Sequence, residues 1–183
     1  MTRLGAAARS GIARALAVAA GWAFAVPGSN PAALGVLRSR GLQIPVDAVT
    51  APQLSDTYEH TRANGARPHE ALDIMAARGT PVRAVEDGKV AKLFLSVPGG
   101  ITIYQFDPGN QFAYYYAHLD SYADGLKEGA AIRKGQVIGY VGITGNANPA
   151  APHLHFAIFQ LGAERQWWRG TPVNPFLVWR PLP

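Results

Sequence analysis

The middle of the chain decides the fold, and residues 89–119 have the sequence KVAKLFLSVPGGITIYQFDPGNQFAYYYAHL. Three runs rich in β-branched and aromatic residues, 89–95, 101–106 and 111–119, are separated by the turn sequences Pro-Gly-Gly and Asp-Pro-Gly-Asn. Short runs of this composition between turn residues predict consecutive strands. The short Asp-Pro-Gly-Asn connection predicts an antiparallel hairpin between the second and third runs.

The pattern continues outside this hairpin. Residues 136–141 predict another strand, and the glycines around them suit turns and bends better than a helix. We therefore predict an all-β fold, a mainly antiparallel sheet or sandwich, for residues 53–183. Residues 26–52 contain four prolines and predict a linker with a lead-in strand.

Composition limits the class of protein. The chain has 183 residues, of which 48% are hydrophobic and 16% charged, so it is long enough for one buried core. It contains no cysteine, which excludes disulfides, cysteine-ligated zinc and lipid attachment through an N-terminal cysteine. A metal site would have to use His, Asp and Glu.

The first 25 residues have the features of a targeting segment. Arg3, Arg9 and Arg14 precede the uncharged stretch 15–26, which is too short to span a bilayer. With Ala-Phe-Ala at 23–25, this predicts a signal peptide and hence a secreted, periplasmic or extracellular protein. An uncleaved N-terminal anchor that tethers the chain to the inner membrane is the alternative. Losing the three arginines lowers the formal net charge from +5 to +2, and we expect no nucleic-acid partner.

The five histidines carry the chemistry, and four of them fall in three short motifs. These motifs are HEALD at 69–73, YYAHL at 115–119 and PHLHF at 152–156. Because strand residues two apart share a face, His153 and His155 are expected to project together. His60 lies outside every motif and is predicted to be a surface or turn histidine.

The same parity argument extends to the tyrosines of the second motif. It places Tyr114 and Tyr116 on the face of His118, which makes both tyrosines candidate substrate contacts. Tyrosine is also common inside strands, so core packing is the alternative. Two histidines with one carboxylate would leave the fourth position of a tetrahedral zinc ion open, as in hydrolytic sites.

Taken in order, the motifs resemble the lysostaphin-type zinc peptidases, which are peptidoglycan endopeptidases of bacterial cell walls. The resemblance covers about residues 54–160 and includes the segment LKEGAAIRKGQVIGYVGITGN at 126–146. It implies an antiparallel β fold with a narrow groove over one Zn²⁺ ion. It also implies that His69, Asp73 and His155 hold the zinc.

The same resemblance makes His118 and His153 the catalytic histidines, without saying which of them is the general base. The sequence departs from the family pattern in three places. Ala71 stands where the family usually has glycine, and Ala157 stands where it often has a polar residue. The loop 146–152 replaces a Ser/Thr-Gly-Pro stretch that is frequent in the family. These changes bear on substrate preference. A regulatory partner protein, or residues 26–52, could occlude such a site, and the oligomeric state is not predicted.

The sequence thus predicts a zinc metalloendopeptidase that hydrolyses peptide crosslinks of peptidoglycan. The alternative is a non-catalytic relative that binds the wall or activates another hydrolase. Such relatives lack ligands or catalytic histidines, whereas all five positions are filled here.

Overall fold

A computed structural model describes residue 28 and residues 30–62 and 67–180 of the chain. The predicted signal peptide at 1–25 lies outside the described residues. Two α-helices frame the described part, α1 (Pro31–Ser39) and α2 (Phe176–Trp179), and a short 3₁₀ turn spans Ala51–Gln53. Neither of these helices is long and apolar enough to cross a membrane.

Antiparallel strands supply the other regular elements. In chain order they are β1 (Thr61–Arg62), β2 (Arg67–Pro68), β3 (Leu72–Met75), β4 (Pro81–Arg83), β5 (Gly88–Ser96), β6 (Gly100–Phe106), β7 (Phe112–Tyr122), β8 (Ala131–Ile132), β9 (Val137–Val141), β10 (His153–Leu161) and β11 (Gly170–Val173). The mainly antiparallel β fold is therefore confirmed, and four of the predicted strands match β5, β6, β7 and β9 closely.

One large sheet organises the domain, with β1 and β2 as a separate pair. Its strand order is β11-β10-β7-β6-β5-β8, while β3 pairs with β10 and β9 pairs with both β7 and β4. The predicted hairpin is the β6–β7 pair. Strand β10 lies against β7 on one side and against β3, then β11, on the other. This central position gives β10 its role in the site described below.

The N-terminal segment differs from the predicted linker. Asn30 caps helix α1 by accepting hydrogen bonds from the backbone of Ala32 and Ala33, and Pro31 occupies the first helical turn. Proline suits this position because it lacks a backbone N–H, and an N–H in the first turn has no partner within the helix. Leu34 and Leu37 are buried in the main core. The lead-in strand is reduced to one bridge between Val46 and Val82.

The two helices join the ends of the described chain. Arg38 of α1 donates two hydrogen bonds to the carbonyl of Leu177 in α2. The Trp179 indole donates to the carbonyl of Leu42. The segment after residue 30 is therefore part of the same folded unit as the sheet.

Two loops approach each other closely beside the end of β6. Gly100 and Gly145 both have positive φ, at 66° and 72°. A Cβ atom on either glycine would collide with the backbone of the other loop. Glycine satisfies both demands, because it lacks Cβ and adopts left-handed backbone freely. The close contact fixes the position of the neighbouring Thr144, whose carbonyl enters the site.

Candidate metal centre and active site

The register of strands β3, β10 and β7 brings all three histidine motifs together. His155 of β10 lies directly opposite Asp73 of β3 and also opposite Ala117 of β7. His69 precedes Asp73 in the loop that leads into β3, and His118 follows Ala117. Three adjacent strands thus place side chains from distant parts of the sequence at one point of the sheet.

Three of these side chains offer ligand atoms to a common centre. His69 Nε2 lies 3.0 Å from His155 Nδ1 and 3.0 Å from Asp73 Oδ1, and His155 Nδ1 lies 3.1 Å from Asp73 Oδ1. The atoms form a nearly equilateral triangle. A tetrahedral zinc ion with bonds of about 2.0–2.1 Å separates its ligand atoms by roughly 3.3 Å, so the triangle is within about 0.3 Å of the size that zinc requires.

A main-chain hydrogen bond settles the tautomer of His69. Its Nδ1 lies 2.7 Å from the carbonyl oxygen of Thr57, so Nδ1 carries the proton and donates it. Nε2 then presents a lone pair to the centre, as a metal ligand must. Thr57 also supports the acid, since its Oγ1 accepts a hydrogen bond from the backbone N–H of Asp73.

The donor set fits a cation better than it fits hydrogen bonds alone. His69 Nε2 and the Asp73 carboxylate are both acceptors, yet they lie 3.0 Å apart. Burial raises the pKa of Asp73, but the adjacent imidazoles of His155 and His69 outweigh burial and hold that pKa well below its ordinary value. An ionised carboxylate beside unprotonated imidazole nitrogen is the ligand chemistry of zinc.

Two more imidazoles flank the triangle. The rings of His118 and His153 lie 5.1 Å apart between centroids, and His118 lies 5.5 Å from His155. His118 Nδ1 is 2.9 Å from the Thr144 carbonyl, and His153 Nδ1 is 2.9 Å from the Ala151 carbonyl. When the ring is neutral, donation at Nδ1 leaves Nε2 as an acceptor. His153 Nε2 is buried without a hydrogen-bond partner, 3.7 Å from the Asp73 carboxylate.

His118 is held neutral by its surroundings. Burial is the largest cause, and the nearby His155 adds to it, so that the pKa of His118 falls from 6.5 to about 4. The hydrogen bond to Thr144 opposes this shift without cancelling it. A neutral imidazole with a free Nε2 lone pair can accept a proton from water.

A β-bulge turns His118 toward the centre, and it overturns the predicted parity of β7. Ile101 and Ile103 of β6 are two residues apart but face Leu119 and Tyr116 of β7, which are three apart. The extra residue coincides with a positive φ of 61° at His118. Because one inserted residue exchanges the two faces of a strand, His118 does not share a face with Tyr116.

The prediction that Tyr114 and Tyr116 contact substrate is therefore wrong. Both side chains are fully buried on the core side of the sheet. The Tyr114 hydroxyl donates to Glu86, and the Tyr116 hydroxyl donates to Gln105 over 2.6 Å. The core-packing alternative is correct, and Tyr115 is the tyrosine of this run that faces the site.

All four histidine positions border one pocket of about 400 Å³. It is lined by Pro68, His69, Glu70, Pro98, Gly99, Tyr104, Tyr115, His118, Asn146, Ala147, Asn148, His153, His155, Ala157 and Phe159. Residues 146–148 belong to the loop that was expected to edge the groove. Of residues 30–52, all of them described, none lines this pocket.

Comparison with known proteins identifies the chain. Residues 67–175 match the family described as Peptidase family M23. The chain belongs to peptidase family M23. It is 36% identical to the L-Ala--D-Glu endopeptidase of Bacillus subtilis over 108 residues, which is 56% of this chain and 33% of that protein.

Solved M23 structures share the fold. The catalytic domain of lysostaphin from Staphylococcus simulans superposes with a TM-score of 0.58 and 28% identity over 69% of this chain and 91% of that chain. A zinc-containing peptidase from Vibrio cholerae gives 0.56 and 27%, over 71% of this chain and 37% of that chain. Family, neighbour and ligand triangle agree on zinc as the metal. The chain spans about a quarter to a third of the length of curated relatives that it matches.

The structure adds site residues that the motifs did not reveal. Thr57 lies outside every motif, and nothing in its sequence context signals that its carbonyl orients His69. Tyr104 and Tyr115 line the pocket, but only knowledge of the bulge would have selected Tyr115 over its neighbours. His60 is exposed, as predicted.

Proposed function

We propose that this chain is a zinc-dependent metalloendopeptidase that hydrolyses peptide crosslinks of bacterial peptidoglycan. One observation carries the proposal: three ligand atoms separated by 3.0–3.1 Å lie next to two further imidazoles whose Nδ1 atoms are already engaged. This arrangement supplies a metal site with an accessible side and two proton-transfer groups next to it.

A zinc ion held by His69, Asp73 and His155 would polarise the scissile carbonyl and activate the attacking water. The chain's own residues manage the protons. His118 or His153 accepts the water proton at Nε2, because both rings donate from Nδ1 to main-chain carbonyls. That proton then passes to the leaving amine, either from the same ring or through the other ring, and a ring protonated at Nε2 can donate a hydrogen bond to the developing oxyanion.

The main-chain carbonyls that bind the two rings keep them oriented for this proton transfer. The Thr144 and Ala151 carbonyls accept from Nδ1 in one orientation only, so neither ring needs to reorient during turnover. Preorganised groups of this kind lower the barrier because no reorganisation accompanies the reaction.

Membership of the family supports peptidoglycan as the substrate class. The Bacillus subtilis relative is named an L-Ala--D-Glu endopeptidase, so its name gives the bond between L-Ala and D-Glu as its target. The pocket borders His155, Ala157 and Phe159 along one face of β10, and such a row along a strand suits an extended peptide. Which bond this chain cleaves depends on how the loop 146–152 contacts it.

Digestion of purified crosslinked peptidoglycan tests the proposal. The full chain should release soluble peptide fragments, and mass spectrometry of the products should identify the cleaved bond. A chelator should abolish release and added Zn²⁺ should restore it, with His69→Ala as the inactive control. Wall binding without any released peptide, in zinc-loaded protein, would instead support the non-catalytic alternative.

We further propose that the chain acts outside the cytoplasmic membrane, where peptidoglycan lies. The support is the basic, then uncharged, composition of residues 1–25. Cell fractionation with N-terminal sequencing tests this. Recovery of the intact N-terminus in the cytoplasmic fraction would contradict it.

A further inference from the structure

We propose that the loop between β10 and β11 carries a sugar-binding platform that holds the glycan strand of the substrate beside the cleaved peptide. The platform is the row of rings formed by Trp168, Trp167, Tyr104 and Tyr115, called the aromatic row below. This inference rests on the proposed function, because it names a second part of the same substrate.

The aromatic row is continuous from the protein surface to the metal centre. Trp168 and Trp167 lie 5.2 Å apart between ring centroids, Trp167 and Tyr104 4.8 Å, and Tyr104 and Tyr115 4.6 Å. Tyr115 in turn lies 5.9 Å from the ring of His155. Each ring therefore supports the next, and the inner end borders the pocket.

The outer end of the row is exposed. Trp168 has 61% of its surface accessible, although tryptophan is usually largely buried. Trp167 packs between Tyr104 and Phe94, which fixes the tryptophan pair against the sheet. An exposed aromatic face on a fixed support is typical of a binding surface. The flat C–H faces of a pyranose ring are complementary to such a face.

The loop that carries the tryptophan pair also borders a second cavity, which suits a neutral, polar ligand. This cavity of about 370 Å³ is lined by Gln166 and Arg169, which flank the pair in sequence, and by Gln160, Glu164 and Thr171. Glu164 and Arg169 have opposite charges, so the cavity has no single sign of charge. Amide, hydroxyl, carboxylate and guanidinium groups together can pair with sugar hydroxyls and N-acetyl groups as donors and acceptors.

The spacing fits the architecture of peptidoglycan, in which each crosslinking peptide is attached to a sugar strand. His153, His155, Ala157 and Phe159 form one face of β10 and line the active-site pocket, and the strand continues to Leu161. The aromatic row leaves this face across the sheet, because Tyr115 pairs with Ala157 of β10 and with Tyr104 of β6. The ring-to-ring steps from His155 to Trp168 together span at most about 20 Å, a distance that an extended peptide of about six residues covers. A peptide bond at the metal centre would therefore bring the attached sugar within reach of the tryptophan pair.

The test compares two substrates with the full-length protein. One is intact crosslinked peptidoglycan, and the other is the crosslinked peptide freed of glycan by an amidase. Trp168→Ala should raise the apparent KM for intact peptidoglycan by roughly tenfold and leave cleavage of the free peptide unchanged. Trp168→Phe, which keeps an aromatic face, should recover most of the loss. Leu95→Ala is the matched control, because Leu95 is 72% exposed and points away from Phe94 on the same strand.

Binding of a soluble N-acetylglucosamine oligomer, followed by tryptophan fluorescence, separates this inference from the proposed function. The wild-type chain and Leu95→Ala should bind the oligomer, and Trp168→Ala should not, even if no peptide bond is cleaved. Absence of binding by the wild-type chain overturns the inference. Equal losses on both substrates in Trp168→Ala also overturn it, since the aromatic row would then serve the peptide or the fold.

Discussion

Single side chains at the metal centre depend on one another, because each ligand atom lies within 3.1 Å of the other two. Removing any one leaves two ligands and an incomplete coordination shell. We expect His69→Ala, Asp73→Ala and His155→Ala each to lose bound zinc when the purified protein is assayed by elemental analysis. His60→Ala is the matched control, because His60 is exposed and outside the site. Retention of stoichiometric zinc by all three variants would rule out this ligand set.

His118 has a different expected effect, because it lies beside the triangle and not in it. We expect His118→Ala to keep its zinc and to lose about 10²–10⁴-fold in turnover on crosslinked peptide, the range typical of a lost general acid or base. Zinc content and kcat measured on the same sample check both halves of this statement. Wild-type turnover in His118→Ala would remove the residue from the mechanism.

The buried tyrosines should behave as structural residues. Tyr116 donates to Gln105 and accepts from the backbone N–H of Val85. Tyr116→Phe leaves both groups without that partner, so we expect a loss of about 1–3 kcal/mol in the free energy of unfolding, measured with urea. Zinc content and turnover should be unchanged in the folded protein. A fall in turnover without a loss of stability would mean that the hydroxyl reaches the substrate.

Much of this site could be predicted at the level of residues, since the three histidine motifs contain every ligand and both flanking imidazoles. The shared face of His153 and His155 also followed from strand geometry. The predicted face of His118 was wrong, because residues alternate between the two faces only where a strand is regular. The main-chain carbonyls of Thr57, Thr144 and Ala151 could not be predicted, because loop geometry sets their positions and carries no residue signature.

At the level of elements, one arginine connects helix α1 to the sheet. Arg40 lies just after the helix and donates to Glu86 over 3.0 Å and to Asp107 over 2.9 Å. Both carboxylates are buried, so removal of the guanidinium leaves them without their cation. We expect Arg40→Ala to lower the free energy of unfolding by about 2–3 kcal/mol. This loss is smaller than for breaking a fully buried ion pair, because the backbone N–H groups of residues 111 and 112 also bind Asp107.

A surface pair provides the comparison for this prediction. Arg78 pairs with Asp120, but 59% of the Arg78 side chain is exposed. Arg78→Ala should change the free energy of unfolding by less than about 1 kcal/mol. Equal effects of the two substitutions in urea unfolding would show that the contacts of Arg40 do not stabilise the fold.

Helix α1 and the strands differed in how far they could be predicted. The strands followed from runs of apolar residues bounded by turn residues, and these signals are local. The helix lies in a segment with four prolines, which favoured a linker. Pro31 is compatible with a helix because it occupies the first turn after the Asn30 cap, and burial of Leu37 against the core supplies the stability that local propensity does not.

For the whole molecule, zinc binding should contribute to stability, because the ligand set is assembled only in the folded chain. At a free zinc concentration of 100 times Kd, binding adds about 2.7 kcal/mol. A chelator should therefore lower the Tm of the zinc-loaded protein at pH 7.5. Since ligand imidazoles must be unprotonated and ordinary histidine has a pKa of about 6.5, zinc affinity falls as the pH decreases through that value.

The decrease in Tm caused by the chelator should accordingly be smaller at pH 5 than at pH 7.5, as measured by differential scanning calorimetry. His69→Ala should show no chelator effect at either pH, which controls for direct action of the chelator. A Tm decrease of the same size at both pH values would contradict the assignment of imidazole ligands.

The carbonyl contacts of the histidine rings have a practical consequence for protein engineering. An amino-acid exchange at Ala151 cannot delete a peptide oxygen, so libraries that randomise this position at constant length should tolerate broad variety while the imidazole keeps its orientation. Shortening or lengthening the same loop by one unit moves the oxygen itself. Changes in specificity should therefore be sought by varying composition at fixed spacing, and indels in this loop should be avoided.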